Sequence, residues 1–431
     1  MPAGAEPNGR QEWLLVSDIH LNPFDKSPVP SDYGYDSNWA LWQSTLEAMR
    51  RADPHPPVIV ISGDFLAHHF GALVSANGGT DVTAAAEATM RRIANSIDRT
   101  FPQAQVLVVL GNNDDPCGDY HTAPNSAYLE ATARIWAPLV DRRDAAPDFV
   151  ATFSRGGYYT ASLPLRGLRA IAVDDVFWSI LYHACGRATD EPQAELTWLD
   201  DTLAATPPKT RDVIIMHIPP GVDASSTLFA QRFVVIPYLN GADDQALVRS
   251  LGDERTHIDV AIAGHTHRLD FRVLAGVPML IASSVSPIYN NNPSFLLLRM
   301  TPAGALADYT LYAYSPGSKT WAAKFDFDAV YGVSEFSAAT LARAHARIAT
   351  NRATRQLWAD AFVAEAPQQE INATNWQAVW CAQTLTGRAY AQCAHLRRRL
   401  LVLPIAAGLL FIIVAASIVL IVLRLAGWGR R

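Results

Sequence analysis

The chain has 431 residues, enough for two or three domains or for one large α/β domain with additions. A hydrophobic fraction of 49% and a charged fraction of 18% exclude a disordered chain, and a net charge of −6 gives no reason to expect nucleic-acid binding. Four cysteines without a Cys-x-x-Cys spacing exclude a disulfide-built scaffold and a thiolate zinc site. Any metal site would therefore use oxygen and nitrogen ligands.

The first half of the chain alternates apolar runs with amphipathic stretches. Residues 1–11 form a polar lead without a visible secretory signal. Runs rich in β-branched residues then predict buried strands over Trp13–Val16, Val58–Ile61, Val106–Leu110, Val213–Met216 and Val260–Ala263. Apolar positions three and four residues apart predict helices that include Trp39–Arg51, Thr83–Ile97 and Gln193–Leu203. This alternation is typical of a layered α/β domain.

The pattern changes after residue 270. Between Phe271 and Tyr312 it is mostly strand, with candidates at Met279–Ala282, Phe295–Leu298 and Tyr309–Ala313, and we expect a second sheet there. Residues 336–398 are helical in pattern.

The last part of the chain carries a long apolar run. Residues 400–423 contain no charge, and as a helix they would span about 36 Å, enough for a bilayer core. We predict a single transmembrane helix over 400–423 and a short basic tail over 424–431. Arginines flank both ends of the run, so charge indicates its orientation only weakly.

Polar residues follow each of the five predicted strands, and in an open α/β sheet such residues meet at one edge. The candidate metal ligands are Asp18, His20, Asp64, Asn112, His217, His265 and His267. Carboxylates, an amide and imidazoles suit one or two divalent transition ions. Two such ions bridged by a carboxylate can polarise a phosphoryl group and lower the pKa of a bound water, which indicates phosphoester hydrolysis.

The order of these motifs resembles the calcineurin-like metallophosphoesterase superfamily. More narrowly, the chain is similar to acid sphingomyelinase-like phosphodiesterases and endopolyphosphatases. The similar segments are SDIHLNPF (17–24), SGDFLAHH (62–69), LGNNDDP (110–116), MHIPPG (216–221), AGHTHRLDF (263–271), SSVSPIYNNNPSF (283–295) and WCAQT (380–384). The resemblance implies a four-layer α/β/β/α sandwich over residues 12–330 and a helical C-terminal subdomain over 331–399.

The resemblance also assigns roles to the candidate ligands. Asp18, His20 and His267 would bind one divalent ion, and Asn112, His217 and His265 would bind another. Asp64 would bridge the two ions, and a hydroxide held between them would attack phosphorus. We expect zinc, with iron or manganese as alternatives.

Two further residues are candidates for a catalytic role. His68 matches a histidine that lies near the leaving-group oxygen in the sphingomyelinase-like group. At Asn113 most of the superfamily has a histidine that stabilises or protonates the phosphoryl group, so the usual acid is missing here. Endopolyphosphatase-like members share the Gly-Asn-Asn-Asp sequence.

These observations predict a membrane-anchored, two-metal phosphodiesterase whose substrate is a phosphodiester and whose C-terminal helix lies in the lipid bilayer. Polyphosphate hydrolysis is the enzymatic alternative, and a catalytically silent membrane-attached binding domain is the alternative from another class. The absent signal favours the cytoplasmic face for the catalytic domain. Cys381 and Cys393 lie in a segment that resembles a disulfide-bearing tail of secreted relatives, and a disulfide there would instead place the domain outside the cytoplasm.

Overall fold

The computed structural model describes residues 11–187, 189–230 and 234–395. Within these ranges the strands are β1 (Gln11–Val16), β2 (Val58–Ile61), β3 (Gln105–Val108), β4 (His121–Thr122), β5 (Tyr159–Ser162), β6 (Leu168–Ala172), β7 (His183–Ala184), β8 (Arg211–Ile215), β9 (Ile258–Ala263), β10 (Asp270–Leu274), β11 (Val277–Ile281), β12 (Ser294–Met300), β13 (Leu306–Ser315) and β14 (Thr320–Asp326).

The helices of the same ranges are α1 (Trp39–Ala52), α2 (Phe70–Ala76), α3 (Val82–Thr100), α4 (Ala127–Val140), α5 (Phe149–Gly156), α6 (Glu191–Ala204), α7 (Ala224–Phe229), α8 (Gly241–Asp253), α9 (Phe327–Tyr331), α10 (Ala338–Thr350), α11 (Arg352–Phe362), α12 (Trp376–Ala382) and α13 (Gly387–Cys393). The first turn of α1 is capped by Asn38, whose side chain accepts a hydrogen bond from the Leu41 amide. Asp81 caps α3 in the same way, through the Ala84 amide.

The first sheet combines strands from both ends of the catalytic region. Its order is β14-β13-β12-β1-β2-β3. The neighbours β1, β2 and β3 run parallel, and β12 pairs antiparallel with β1, with Leu15 opposite Leu296. Because β1, β2 and β3 are parallel, the loops that follow them leave the sheet at the same edge.

The second sheet has the order β10-β11-β9-β8-β6-β5. Here β6, β8, β9 and β11 run parallel, while the edge strands β5 and β10 are antiparallel to their neighbours. A hydrogen bond joins the two sheets, donated by the Tyr159 hydroxyl of β5 to the Val108 carbonyl of β3 over 2.9 Å.

The strands of the second sheet are buried on both faces. In β8, Val213 and Ile215 pack in the apolar core that also contains β1, β2 and β3. The intervening Ile214 points the other way and packs in a second core with Leu196 of α6 and Leu247 of α8. Helix α1 packs against the first sheet, so the layers agree with the helix, sheet, sheet, helix order that the resemblance implies.

The prediction of an α/β domain is confirmed, and the predicted strands and helices overlap observed ones. The strand-rich segment after residue 270 does not form a sheet of its own, however. Its first two strands extend the second sheet, and the next three complete the first sheet. Periodicity identifies a strand but not its partner, because pairing depends on contacts distant in sequence.

The polar lead predicted over residues 1–11 ends in Gln11, which already belongs to β1, and residues 1–10 lie outside the described residues. The predicted transmembrane helix and basic tail also lie outside the described residues. Among the helices of residues 11–187, 189–230 and 234–395, none combines the length and hydropathy required to cross a bilayer. The proposed boundaries at residues 330 and 399 stay predictions.

Candidate metal centre and cleft

The seven predicted ligands lie together at one edge of the two sheets. Each follows the end of a strand, and those strands are β1, β2, β3, β8 and β9. Six of the ligands are buried and His265 is partly exposed. Side chains separated by up to 249 positions in the sequence are therefore brought into one cluster by the parallel strands.

The first group of ligands surrounds the Nε2 atom of His20. This atom lies 3.0 Å from Nε2 of His267, 3.2 Å from Oδ2 of Asp64 and 3.9 Å from Oδ1 of Asp18. Nε2 of His267 also lies 3.5 Å from Oδ1 of Asp18. The ligand atoms of Asp18, His20 and Asp64 all lie within 4.8 Å of one another, as ligands of one cation would. His20 forms a similar group with His267 and His68.

The second group shares Asp64 with the first. Oδ2 of Asp64 lies 3.4 Å from Nε2 of His217, which is 3.1 Å from Oδ1 of Asn112. His265 completes this group with its Nδ1 atom, 2.8 Å from the same Asn112 oxygen. Asp64 is therefore the side chain placed to contact cations in both groups.

Backbone carbonyls fix the proton position on two of the imidazoles. Nδ1 of His20 lies 3.1 Å from the Leu66 carbonyl, and Nδ1 of His217 lies 2.7 Å from the Ser62 carbonyl. A carbonyl can only accept, so each Nδ1 carries the proton and donates it. Nε2 is then the ring atom that faces the cluster, which is how a second hydrogen bond commonly orients a histidine for a metal.

The backbone of the ligand loops is unusual. Five of the seven ligands have positive φ angles although none is glycine: Asp18 (49°), His20 (43°), Asp64 (55°), His265 (67°) and His267 (58°). At Gly111 a Cβ atom would lie 2.5 Å from the Asp64 amide nitrogen, so only glycine allows the β2 and β3 loops to approach this closely. The strained loops hold the ligand atoms at their positions.

Burial and neighbouring charges set the ionisation of the cluster. Burial alone would raise the pKa of Asp64, but the charges of His217 and His20 outweigh it and hold this pKa well below its usual range. Burial lowers the pKa of His265 to about 4 and that of His267 well below its usual range. Burial lowers the pKa of His20 and of His217, but the charges of Asp64 and of neighbouring carboxylates outweigh burial and raise these pKa values to about 9 and about 10, so a divalent cation would displace a proton from each ring. The buried Nδ1 of His267 has no hydrogen-bond partner in the described structure. The donor set therefore fits divalent metal ions.

Asn113, the other candidate for a catalytic role, is hydrogen-bonded to Asp64. Its side-chain amide donates to Oδ2 of Asp64 over 2.9 Å, and its backbone amide donates to Oδ1 over 2.8 Å. Next to it, the buried Asp114 accepts hydrogen bonds from the amides of Gly111, Phe65 and Leu66, which ties the β2 and β3 loops together. Both residues thus hold the loop of Asp64.

His68 lies at the edge of the first group. Its ring stacks on that of His20 with centroids 4.0 Å apart. Its Nδ1 lies 2.8 Å from Oδ1 of Asp36, and its backbone amide donates to the other Asp36 oxygen over 2.9 Å. Its other ring nitrogen, Nε2, lies 3.3 Å from the Tyr289 hydroxyl. Asp36 was not predicted, because it lies in a polar loop without periodicity or motif spacing.

Comparison with known proteins identifies the family. A model of the calcineurin-like phosphoesterases matches residues 13–269, which is more than half of the chain. The chain belongs to the calcineurin-like phosphoesterase family. This confirms the resemblance inferred from the order of the motifs, and it makes the protein a phosphoric ester hydrolase.

Curated relatives support the narrower resemblance. The chain is 26% identical over 399 residues to "Acid sphingomyelinase-like phosphodiesterase 3b" of Homo sapiens, covering 82% of each protein. It is 25% identical over 341 residues to "Sphingomyelinase phosphodiesterase D" of Dictyostelium discoideum, covering 74% of this chain and 71% of the relative. It is 26% identical over 392 residues to "Cyclic GMP-AMP phosphodiesterase SMPDL3A" of Bos taurus, covering 79% and 80%.

A cavity of about 350 Å³ in this phosphoesterase opens beside His265. Tyr120, Tyr238 and Tyr289 contribute aromatic rings to its wall, and the Tyr120 hydroxyl lies 3.3 Å from Nε2 of His265. The C-terminal region also contributes, through Phe362, Glu370, Val379 and Ala382. Tyr120 and Tyr238 were missed by the sequence analysis, because single tyrosines in loops give no pattern.

Both cysteine pairs are disulfides. Cys381 is bonded to Cys393, and Cys117 is bonded to Cys185 across 68 residues, a pairing that sequence spacing did not indicate. The Cys117–Cys185 disulfide joins the loop that contains Asn112 to the residue that follows β7. Disulfides persist in oxidising compartments. They therefore argue against the cytoplasmic face expected for the catalytic domain.

Proposed function

We propose that this chain is a phosphodiesterase that uses two divalent metal ions. The observation that carries the proposal is the position of Asp64, whose carboxylate lies within 3.4 Å of a histidine from each ligand group. The relatives named above support a phosphodiester as the substrate class. A silent binding domain would not need seven converging ligands.

We assign Asp18, His20 and His267 to one cation, and Asn112, His217 and His265 to the other, with Asp64 shared. Nitrogen and oxygen donors of this kind suit zinc first, with iron or manganese as alternatives. When bound, two such cations would polarise the phosphoryl group and lower the pKa of an attacking water. Asn113 positions Asp64 through its two hydrogen bonds.

His68 is the residue we assign to the leaving group. Asp36 holds the Nδ1 side of its ring, so Nε2 is directed to the cleft, where a protonated ring donates to the departing oxygen. In this assignment Asn113 replaces the family histidine as a positioning residue, and the proton comes from a different loop.

We also propose that residues 400–423 anchor the enzyme in a membrane and that its catalytic region works in an oxidising compartment. The uncharged apolar run supports the first part. The two disulfides support the second part. A membrane-anchored phosphodiesterase would meet lipid phosphodiesters at high local concentration.

Metal analysis and turnover test the proposal together. The purified chain should contain about two equivalents of a divalent metal. It should hydrolyse bis(4-nitrophenyl) phosphate, and a chelator should abolish this turnover until metal is restored. The variant Asp115→Asn changes a neighbouring carboxylate outside both ligand groups. It is the matched control for Asp64→Asn and should keep both the metal and the turnover. A metal-loaded chain without turnover on any phosphodiester would support the silent binding domain instead.

A further inference from the structure

Four large apolar side chains are exposed on two adjoining segments. Ile180 and Leu181 are 42% and 49% exposed, and Phe229 and Val234 are 90% and 57% exposed. We call these four residues the cleft rim. The Ile180 amide donates to the carbonyl of Tyr238 over 3.1 Å, so the first segment pairs with the chain four residues beyond Val234.

The cleft rim borders the cavity beside the metal centre. Helix α7, which ends at Phe229, contributes Ala224, Ser225 and Ser226 to the cavity wall, and the Tyr238 ring forms another part of it. Whatever contacts the cleft rim is therefore held at the entrance to the catalytic cleft.

The end of the described chain lies on the same side of the molecule. Gln377 of α12 donates to the Cys393 carbonyl, and the Cys381–Cys393 disulfide fixes α13 to α12. Helix α12 in turn packs against α7. The uncharged run that begins at residue 400 starts only five residues after His395. A bilayer that holds this run is therefore close to the face that carries Phe229.

We propose that the cleft rim inserts into the surface of a lipid bilayer and holds the catalytic cleft against it; this rests on the membrane-anchored phosphodiesterase proposed above. Exposed aromatic and aliphatic side chains near a membrane anchor are of the type that inserts at the boundary between lipid headgroups and acyl chains. The uncharged run that follows α13 favours a lipid bilayer over a protein partner as the occupant of this surface.

A fluorescent label tests the contact without relying on activity. The four native cysteines are paired, so Phe229→Cys in the full chain provides a single free thiol. The control is Leu357→Cys, which replaces an apolar side chain of α11 that is also exposed, at 47%. Both labelled proteins are reconstituted into phosphatidylcholine vesicles containing nitroxide-labelled acyl chains. We expect quenching at position 229 to exceed that at 357 by at least about twofold, because only the rim enters the lipid.

A second measurement uses the paired substitution Ile180→Ser and Leu181→Ser. Hydrolysis of a phosphodiester lipid in vesicles should fall about tenfold, since apolar area no longer enters the bilayer, while hydrolysis of bis(4-nitrophenyl) phosphate stays unchanged. Equal quenching at positions 229 and 357, or an equal loss on both substrates, would overturn the proposal. An enzyme that quenches as expected but cleaves no phosphodiester would refute only the proposed function.

Discussion

The role of His68 can be tested by replacing it and measuring how the loss of turnover depends on the leaving group of the substrate. Replacing His68 with alanine removes the ring that Asp36 orients over 2.8 Å and that faces the cleft through Nε2. An alkoxide is a poor leaving group and needs a proton in the transition state, whereas nitrophenolate departs without much help. His68→Ala should therefore lower turnover of an alkyl phosphodiester by about 10² to 10⁴, or about 3 to 5 kcal/mol of transition-state stabilisation. Turnover of a nitrophenyl ester should fall less than about tenfold.

The contribution of Asp36 follows from its hydrogen bond to the same ring. A hydrogen bond to a charged group contributes about 1.5 to 3 kcal/mol, so Asp36→Asn should lower turnover of the alkyl substrate by about 10- to 100-fold. In the double variant the two losses should not add, because both substitutions remove one function. The matched control is His69→Asn, which changes the exposed residue next to His68. Asparagine adopts the left-handed backbone of position 69 more readily than most residues.

The assay compares kcat on the two substrates after metal content has been measured for each variant. Metal content is needed because the His68 ring stacks on the ligand His20. An equal loss on both substrates at full metal content would show that His68 positions the substrate and does not donate the proton. Unchanged turnover on both would remove it from the mechanism.

Three further outcomes follow from the structure. Asp64→Asn should lower the metal content and reduce turnover by at least about 10³, because the carboxylate is proposed to be shared between two cations. Turnover equal to that of the parent would refute the shared role. Gly111→Ala should cost at least about 1 to 3 kcal/mol of unfolding free energy and displace Asp64, since its Cβ would lie 2.5 Å from the Asp64 amide; chemical denaturation measures this. Burial raises the pKa of Asp270 from 3.8 to about 6, so the folded state binds this proton more tightly and gains stability as pH falls from about 6 towards 4. Asp270→Asn cannot gain stability in this way. The free energy of unfolding of the variant minus that of the parent should therefore be about 2 kcal/mol higher at pH 7 than at pH 4.5. The same difference at both pH values would contradict the reasoning.

The ligand cluster could be predicted from sequence because each ligand directly follows a hydrophobic strand. Strand ends are visible as a change from β-branched to polar residues, as at Val16 before Asp18, and parallel strands bring such ends together. Asp36 and Tyr120 could not be found in this way. Each reaches the site through a loop whose path depends on tertiary contacts, and neither loop has a period or spacing that would mark it.

The same limit explains the strand pairing. The sequence between Phe271 and Tyr312 indicates strands, but β12 binds β1 across about 280 residues, and no local pattern encodes that choice. The Cys117–Cys185 disulfide is another contact of this kind. For Asn113, residue identity alone suggested a place in the catalytic centre, while its actual partner, the Asp64 carboxylate, became visible only in the folded loop.

The left-handed backbone of the ligand loops has a consequence for protein engineering. Each non-glycine residue in that conformation costs about 1 to 2 kcal/mol, so five of them cost about 5 to 10 kcal/mol, as much as the entire folding free energy of many domains. A small scaffold that received these loops would have no reserve of folding free energy to hold them in place. Transplanting this catalytic centre would therefore require moving both sheets with it, and a minimal version of the enzyme cannot be much smaller than the two-sheet core.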